Sequence, residues 1–304
     1  MIDKSEIVYK FRKSYHISYN QDYFCCVGAT VNLYDIKSGD LVTTFKGMRH
    51  LHSSKFISDR KLVVKTNEGF YYIFDLATNE LVKVISPPKN VKTSTTDFEV
   101  TSDGKYIIDF SYIFPTKKLM VAEIETGEYT FFDLGFSRSA AVFSTENEFK
   151  YYIVSACAEE LNAPDVNIRD FYELTYKSDK FELKKLFSDS DSRMSNKDYS
   201  AGVFAVADYS DKIKIFDIQK AFNNTVEYEK SGVLYDLKLS KNGRLIALAE
   251  AQNIYVYDIS TNKCIKSFEV DYGNFVDFFD NDTKLLIGTW EKGYCVVLNI
   301  GEIQ

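Results

Sequence analysis

The chain has 304 residues, of which 45% are hydrophobic, 27% charged and 15% aromatic, with a formal net charge of −7. This composition describes a globular chain and disfavours a surface built to neutralise nucleic-acid phosphates, which needs clustered Lys and Arg; the longest basic runs are pairs, such as Lys117-Lys118 and Lys184-Lys185. No apolar stretch approaches the ~20 residues of a membrane-spanning helix, the N-terminus lacks a signal peptide's apolar core, and five cysteines without a Cys-x-x-Cys pair read as reduced residues of a cytoplasmic protein.

The first element is a strand over Glu6 to Arg12, where Ile7, Tyr9 and Phe11 alternate with other residues. After it a tripeptide recurs: an aromatic or aliphatic residue, an acidic residue or Asn, then Ile or Leu. It reads Tyr34-Asp35-Ile36, Phe74-Asp75-Leu76, Ala122-Glu123-Ile124, Tyr172-Glu173-Leu174, Phe216-Asp217-Ile218, Tyr257-Asp258-Ile259 and Leu298-Asn299-Ile300. The middle residues are spaced by 40, 48, 50, 44, 41 and 41 positions. A period of ~40–50 residues, with four short strands in each unit, is the sequence form of a propeller.

The unit from Gly232 to Asp271 shows the pattern most clearly. Val233 to Ser240 is an apolar-rich strand, and Lys241-Asn242-Gly243-Arg244 supplies a tight turn. Leu245 to Glu250 is nearly all apolar, as in a strand covered on both faces. Ile254 to Ile259 is the third strand and ends on the tripeptide, and Cys264 to Val270 is a half-polar fourth strand. The turn after the first strand recurs as Ser102-Asp103-Gly104-Lys105, and the turn after the third, Ser260-Thr261-Asn262-Lys263 here, recurs as Lys37-Ser38-Gly39-Asp40, Ala77-Thr78-Asn79-Glu80 and Glu125-Thr126-Gly127-Glu128.

Only five residues follow Asn299, so the seventh unit lacks a fourth strand, whereas Glu6 to Arg12 is a strand without a unit. The expectation is therefore all-β: a single seven-bladed β-propeller over residues 1–304, built of four-stranded antiparallel blades. The N-terminal strand completes the last blade and closes the ring, removing an open edge.

The repeat resembles the WD40 family and the looser WD40-like and YVTN-type propellers over essentially the whole chain. The family's Trp-Asp stands here as Tyr-Asp, Phe-Asp or weaker forms, and its Gly-His is absent, so the usual His–Asp–Trp network has no counterpart. The resemblance implies an interaction scaffold that holds peptides or proteins on its top face. That implication comes from the fold alone.

Long connections on that face are the first places to look for a site. Glu159 to Val166 reads as a lengthened loop in the fourth blade, Phe114 to Lys118 as one in the third, and Ser188 to Asp198 as a long lead into the fifth. Trp290, the one tryptophan, falls at the end of the second strand of the seventh blade; exposed Trp is favoured at binding hot spots. The candidate partner-binding residues are Arg49, His50, His52, Arg138, Glu159, Glu160 and Trp290.

His50-x-His52, with His16 on the preceding blade, presents a possible half of a metal site. No Cys or carboxylate with metal spacing accompanies it, so no metal and no cofactor are expected. Asp97, Asp236 and Asp277 recur at similar phases of first strands, which favours a structural part between blades over catalysis. No phosphate loop, dinucleotide fingerprint or nucleophile elbow occurs.

The function read from the sequence is a non-catalytic cytoplasmic scaffold for an unidentified protein or peptide, as a monomer or a subunit of a hetero-complex, with neither nucleic acid nor membrane as partner. The alternative is a propeller enzyme, lactonase-like or otherwise hydrolytic, with a cation in the axial channel.

Overall fold

The computed structural model describes residues 2–89, 91–93, 97–113, 116–134, 137–145, 147, 149–158, 167–178, 180–190, 194–208, 212–217, 224–228 and 232–298. Every regular element among them is a β-strand. The strands form seven antiparallel sheets in chain order, so the protein is a seven-bladed β-propeller.

The first sheet runs His16–Tyr19, Tyr23–Val27, Val31–Asp35 and Leu41–Phe45; the second runs Leu51–Ser58, Lys61–Thr66, Tyr71–Asp75 and Glu80–Ile85. In the third, Glu99–Val100 and Lys92–Thr93 both pair with Tyr106–Ile113, followed by Thr116–Glu123 and Tyr129–Asp133. The fourth runs Ser137–Ser144, Lys150–Ala158, Asn167–Lys177 and Lys180–Ser190; the fifth, Met194–Ser200, Val203–Asp208, Lys212–Asp217 and Asn224–Glu227. The sixth, Leu234–Leu239, Leu245–Glu250, Asn253–Asp258 and Lys263–Glu269, lies within one residue of its expected bounds. The seventh joins Gly273–Phe279, Lys284–Thr289 and Gly293–Val297 to the N-terminal strand Ile7–Phe11, which pairs antiparallel with Gly293–Val297 as expected.

The chain divides into two compact units. Met1–Ile17, Phe24–Val42 and Arg193–Gln304 make one; Ser18–Tyr23 and Thr43–Ser192 make the other. In each, the core lies between successive sheets. In the first unit Ala247, Ala249 and Val256 of the sixth sheet meet Val276, Leu285 and Ile287 of the seventh, all fully buried. In the second, Val63 and Tyr71 of the second sheet meet Phe98, Ile107 and Met120 of the third. Second strands carry apolar residues on both faces because a sheet covers each side; Leu245–Glu250 is buried throughout. Fully burying one such side chain is worth about 1.5–3 kcal/mol.

The tripeptide closes the third strand in five sheets, and its acidic residue has a local reason to be there. Asp35 Oδ1 accepts the N–H groups of Lys37 (2.9 Å) and Ser38 (2.8 Å), and Asp75 and Asp258 cap the same turn in the second and sixth sheets. A short acceptor here satisfies the turn before the fourth strand. The residue after it donates to the start of the second strand: Leu76 N to Arg60 O and Ile259 N to Arg244 O.

In two sheets the phase differs from the expected one. The bonds Tyr176 N to Phe149 O and Leu298 N to Thr283 O occupy this same position. The counterparts of Asp258 are therefore Thr175 in the fourth sheet and Val297 in the seventh, paired with Lys150 and Lys284. The fourth sheet's third strand continues beyond Glu173 to Lys177. The tripeptides Tyr172-Glu173-Leu174 and Leu298-Asn299-Ile300 are thus each two positions away in sequence from this phase; Asn299 and Ile300 lie outside the described residues.

Two expected loops are also different. The third sheet's second and third strands stay paired up to Ile113 and Thr116, so Thr116, Lys117 and Lys118 extend a hairpin. Of Ser188 to Asp198, residues 188–190 and 194–198 belong to strands. In both places a polar run that reads as loop lies on lengthened antiparallel strands.

Candidate functional site

In the first unit the segment from Arg12 to Tyr15 joins the last strand of the seventh sheet to the first strand of the first. Tyr15 N donates to Val27 O at 2.9 Å, and Ser14 bridges Thr289. Two glycines make room for it. A Cβ on Gly28 would lie 2.1 Å from Lys13 O, and one on Gly288 would lie 2.5 Å from Ser14 O.

Beside this segment stands Trp290, 51% exposed. The Lys13 ammonium lies 5.2 Å from its ring centroid, and the Tyr15 ring is 6.4 Å away. Trp290 N donates to Tyr272 O at 3.2 Å. Tyr272 is 64% exposed with φ of 56, a left-handed backbone that a bulky residue adopts at some cost. The turn after Trp290 is tied by Thr289, whose Oγ1 accepts the N–H groups of Glu291 (3.2 Å) and Lys292 (3.0 Å). Val233 and Tyr235, at the start of the sixth sheet, are also exposed, and lie at the same end of their sheet. Burial pushes the Tyr15 hydroxyl's pKa up, while that hydroxyl donates to Gly28 O at 2.8 Å. This edge therefore displays aromatic rings on a fixed backbone, with a cation against one of them.

The first strands carry a second set of polar contacts, and these join neighbouring sheets. Asp236 accepts Leu237 N through Oδ1 at 2.9 Å and Val276 N of the seventh sheet through Oδ2 at 3.1 Å. Asp198 accepts Leu239 N of the sixth sheet at 2.7 Å and faces Lys238 at 3.5 Å. Asn196 Nδ2 donates to Leu234 O at 2.8 Å. In the second unit Lys55 pairs with Glu99 at 3.0 Å, and His52 Nε2 lies 3.9 Å from Asp97 Oδ1.

The residues singled out from the sequence thus fall in several places. Asp97 faces His52 across two sheets. Asp277 accepts Phe278 N at 2.9 Å, and register sets it two residues beyond Asp236, at the phase of Lys238. His50 precedes the strand that contains His52, with φ of 51, and lies 3.7 Å from exposed Glu68, so the two imidazoles do not share a strand face. Arg49 is exposed just before it. His16, with its ring 5.2 Å from that of Phe275, packs in the other unit. Arg138 lies in Ser137–Ser144; Glu159 and Glu160 lie outside the described residues. No group of three or more His, Cys, Asp or Glu among the described residues is placed to hold a metal ion.

Sequence reasoning passed over Tyr272, whose backbone conformation no residue pattern announces, and a buried triad in the second unit. There Lys65 Nζ meets Asp109 Oδ2 at 2.6 Å, both fully buried, and Tyr71 Oη donates to the same oxygen. Burial pushes the Asp109 carboxyl up against the opposing pull of Lys65. A lone charge inside each of two apolar strands was the available signal.

No known protein-family model matches the chain, and no curated protein matches it. The fold and the arrangement of its polar groups define the class: a seven-bladed β-propeller whose inter-sheet carboxylates bind backbone N–H groups.

Proposed function

We infer that this chain is a WD40-like, non-catalytic cytoplasmic scaffold that binds a protein or peptide at the edge formed by Tyr15, Val233, Tyr235, Tyr272 and Trp290. The observation that carries this reading is Trp290, half exposed yet held by the Tyr272 carbonyl and the Thr289 turn. Rigid aromatic side chains lose little entropy when a partner covers them, and they dominate interface energetics. The alternative hydrolytic reading needs carboxylates available to a cation, whereas Asp198 and Asp236 accept backbone N–H groups.

The test is affinity capture from the native host with mass spectrometry, comparing the natural chain with Trp290→Ala and Tyr272→Ala. Both side chains are exposed, so the variants retain the fold. Selective loss of the same proteins from both variants is the expected result. Equal recovery from all three would discard this edge as the binding surface.

A further inference from the structure

The interface between the second and third sheets holds more hydrogen-bonding groups than its protein contacts use. Ser53, Lys65 and Tyr71 stand directly opposite one another across three strands of the second sheet. Their side chains therefore share one face, with neighbouring Cβ atoms about 5 Å apart. Asp109 reaches this row from the third sheet through Lys65 and Tyr71. Ser111 lies two residues beyond Asp109 on an unbroken stretch of ladder, so it faces the same way, about 7 Å along the strand.

Ser53 is 1% exposed and Ser111 fully buried, and neither hydroxyl oxygen has a hydrogen-bond partner among the described residues. A hydroxyl is one donor and two acceptors, and native interiors rarely leave such a group unpaired. An internal water typically makes about three bonds to such groups and is a fixed part of the fold.

We propose an internal hydration site between the second and third sheets, in which ordered water binds Ser53 Oγ and Ser111 Oγ beside the Lys65–Asp109 pair. The ligand class is a water-sized hydrogen-bonding molecule, because both hydroxyls are closed to solvent. The water completes the polar cluster that Lys65, Tyr71 and Asp109 begin. Two successive sheets are then joined by a hydrogen-bonded network set among apolar side chains such as Val63, Ile73, Phe98 and Ile107.

The test is an atomic-resolution crystal structure of the full chain. The expected result is a fully occupied water oxygen at about 2.7–3.2 Å from Ser53 Oγ, Ser111 Oγ or both. Hydroxyls bonded to protein acceptors in other rotamers, with no solvent density between the sheets, would overturn the proposal. Water magnetic relaxation dispersion gives a second measurement in solution. The Ser53→Val, Ser111→Val double variant fills the space with methyl groups and is expected to lose the contribution of at least one long-lived internal water. An unchanged dispersion amplitude in the folded variant counts against the site. If that variant does not fold, the crystal structure of the natural chain decides alone.

Discussion

Asp236, on the first strand of the sixth sheet, accepts the backbone N–H of Val276, on the first strand of the seventh, at 3.1 Å. Val276 is fully buried, and the Asp236 carboxylate is the acceptor that its N–H meets on the neighbouring sheet. Asp236→Ala is expected to destabilise the fold by about 1–3 kcal/mol, the cost of an unsatisfied buried donor. Asp236→Asn keeps an acceptor and loses less. Urea unfolding of both variants measures the difference, and equal stability of Asp236→Ala and the natural chain would refute the bond's role.

The buried Lys65–Asp109 pair makes a sharper case. Lys65→Met leaves a carboxylate with no cation, at a cost of about 3–5 kcal/mol. Replacing both partners, Lys65→Met with Asp109→Leu, removes the stranded charge and restores part of that loss, the buried Tyr71 hydroxyl being left without its acceptor. A double-mutant cycle by chemical denaturation reads the coupling. Additive losses would show that the two charges do not depend on each other.

Asp258 sets an acid limit. Burial pushes its carboxyl up, but the Ser260 hydroxyl and the Arg244 guanidinium, at 2.9 Å, outweigh it and bring the pKa down to about 2. A depressed carboxyl stabilises the fold while ionised. Its contribution is whole above about pH 5 and is lost as pH falls through about 4 toward 2. Asp258→Asn should flatten that part of the stability–pH curve, measured by thermal melts between pH 2 and 6. An unaltered slope would remove Asp258 as a source of acid sensitivity.

The N-terminal strand is tested by removal. Deleting residues 1–13 strips Gly293–Val297 of its partner and leaves an open sheet edge, a template for self-association. Light scattering of the truncated chain should show aggregates. In the milder Phe11→Ala, the ring that packs at 5.2 Å from Phe24 and 4.9 Å from Tyr34 disappears, for a loss of about 3–5 kcal/mol. A soluble truncated chain with an undiminished melting transition would contradict the strand's role.

The fold was legible because each unit repeats two independent signals, an apolar second strand and a turn chemistry after the third. Asp35, Asp75 and Asp258 cap that turn with a side chain only a few residues offer, so they recur. Thr175 and Val297 take that position in the fourth and seventh sheets, and the nearest acidic residue or Asn in the sequence lies two positions away. Long strands defeated the loop reading for a related reason: Thr116 to Lys118 and Ser188 to Ser190 are polar in sequence, yet their backbone continues the paired strands. Of the site, Trp290 stood out by its rarity. Its neighbours Lys13 and Tyr15 are distant in sequence and meet it only because the N-terminal strand joins the last sheet.

That meeting gives the molecule a built-in optical gauge. Trp290 is the chain's single tryptophan, so all indole emission arises where the Arg12–Tyr15 segment crosses the seventh sheet. Undocking of that segment takes away the ammonium over the indole and the neighbouring tyrosine and hydrates the half of the ring that they cover. The emission maximum then moves to the red, independently of what the other sheets do. A red shift that precedes the loss of far-UV β-sheet signal thus marks a loosened seam, and one that coincides with it marks a melted propeller.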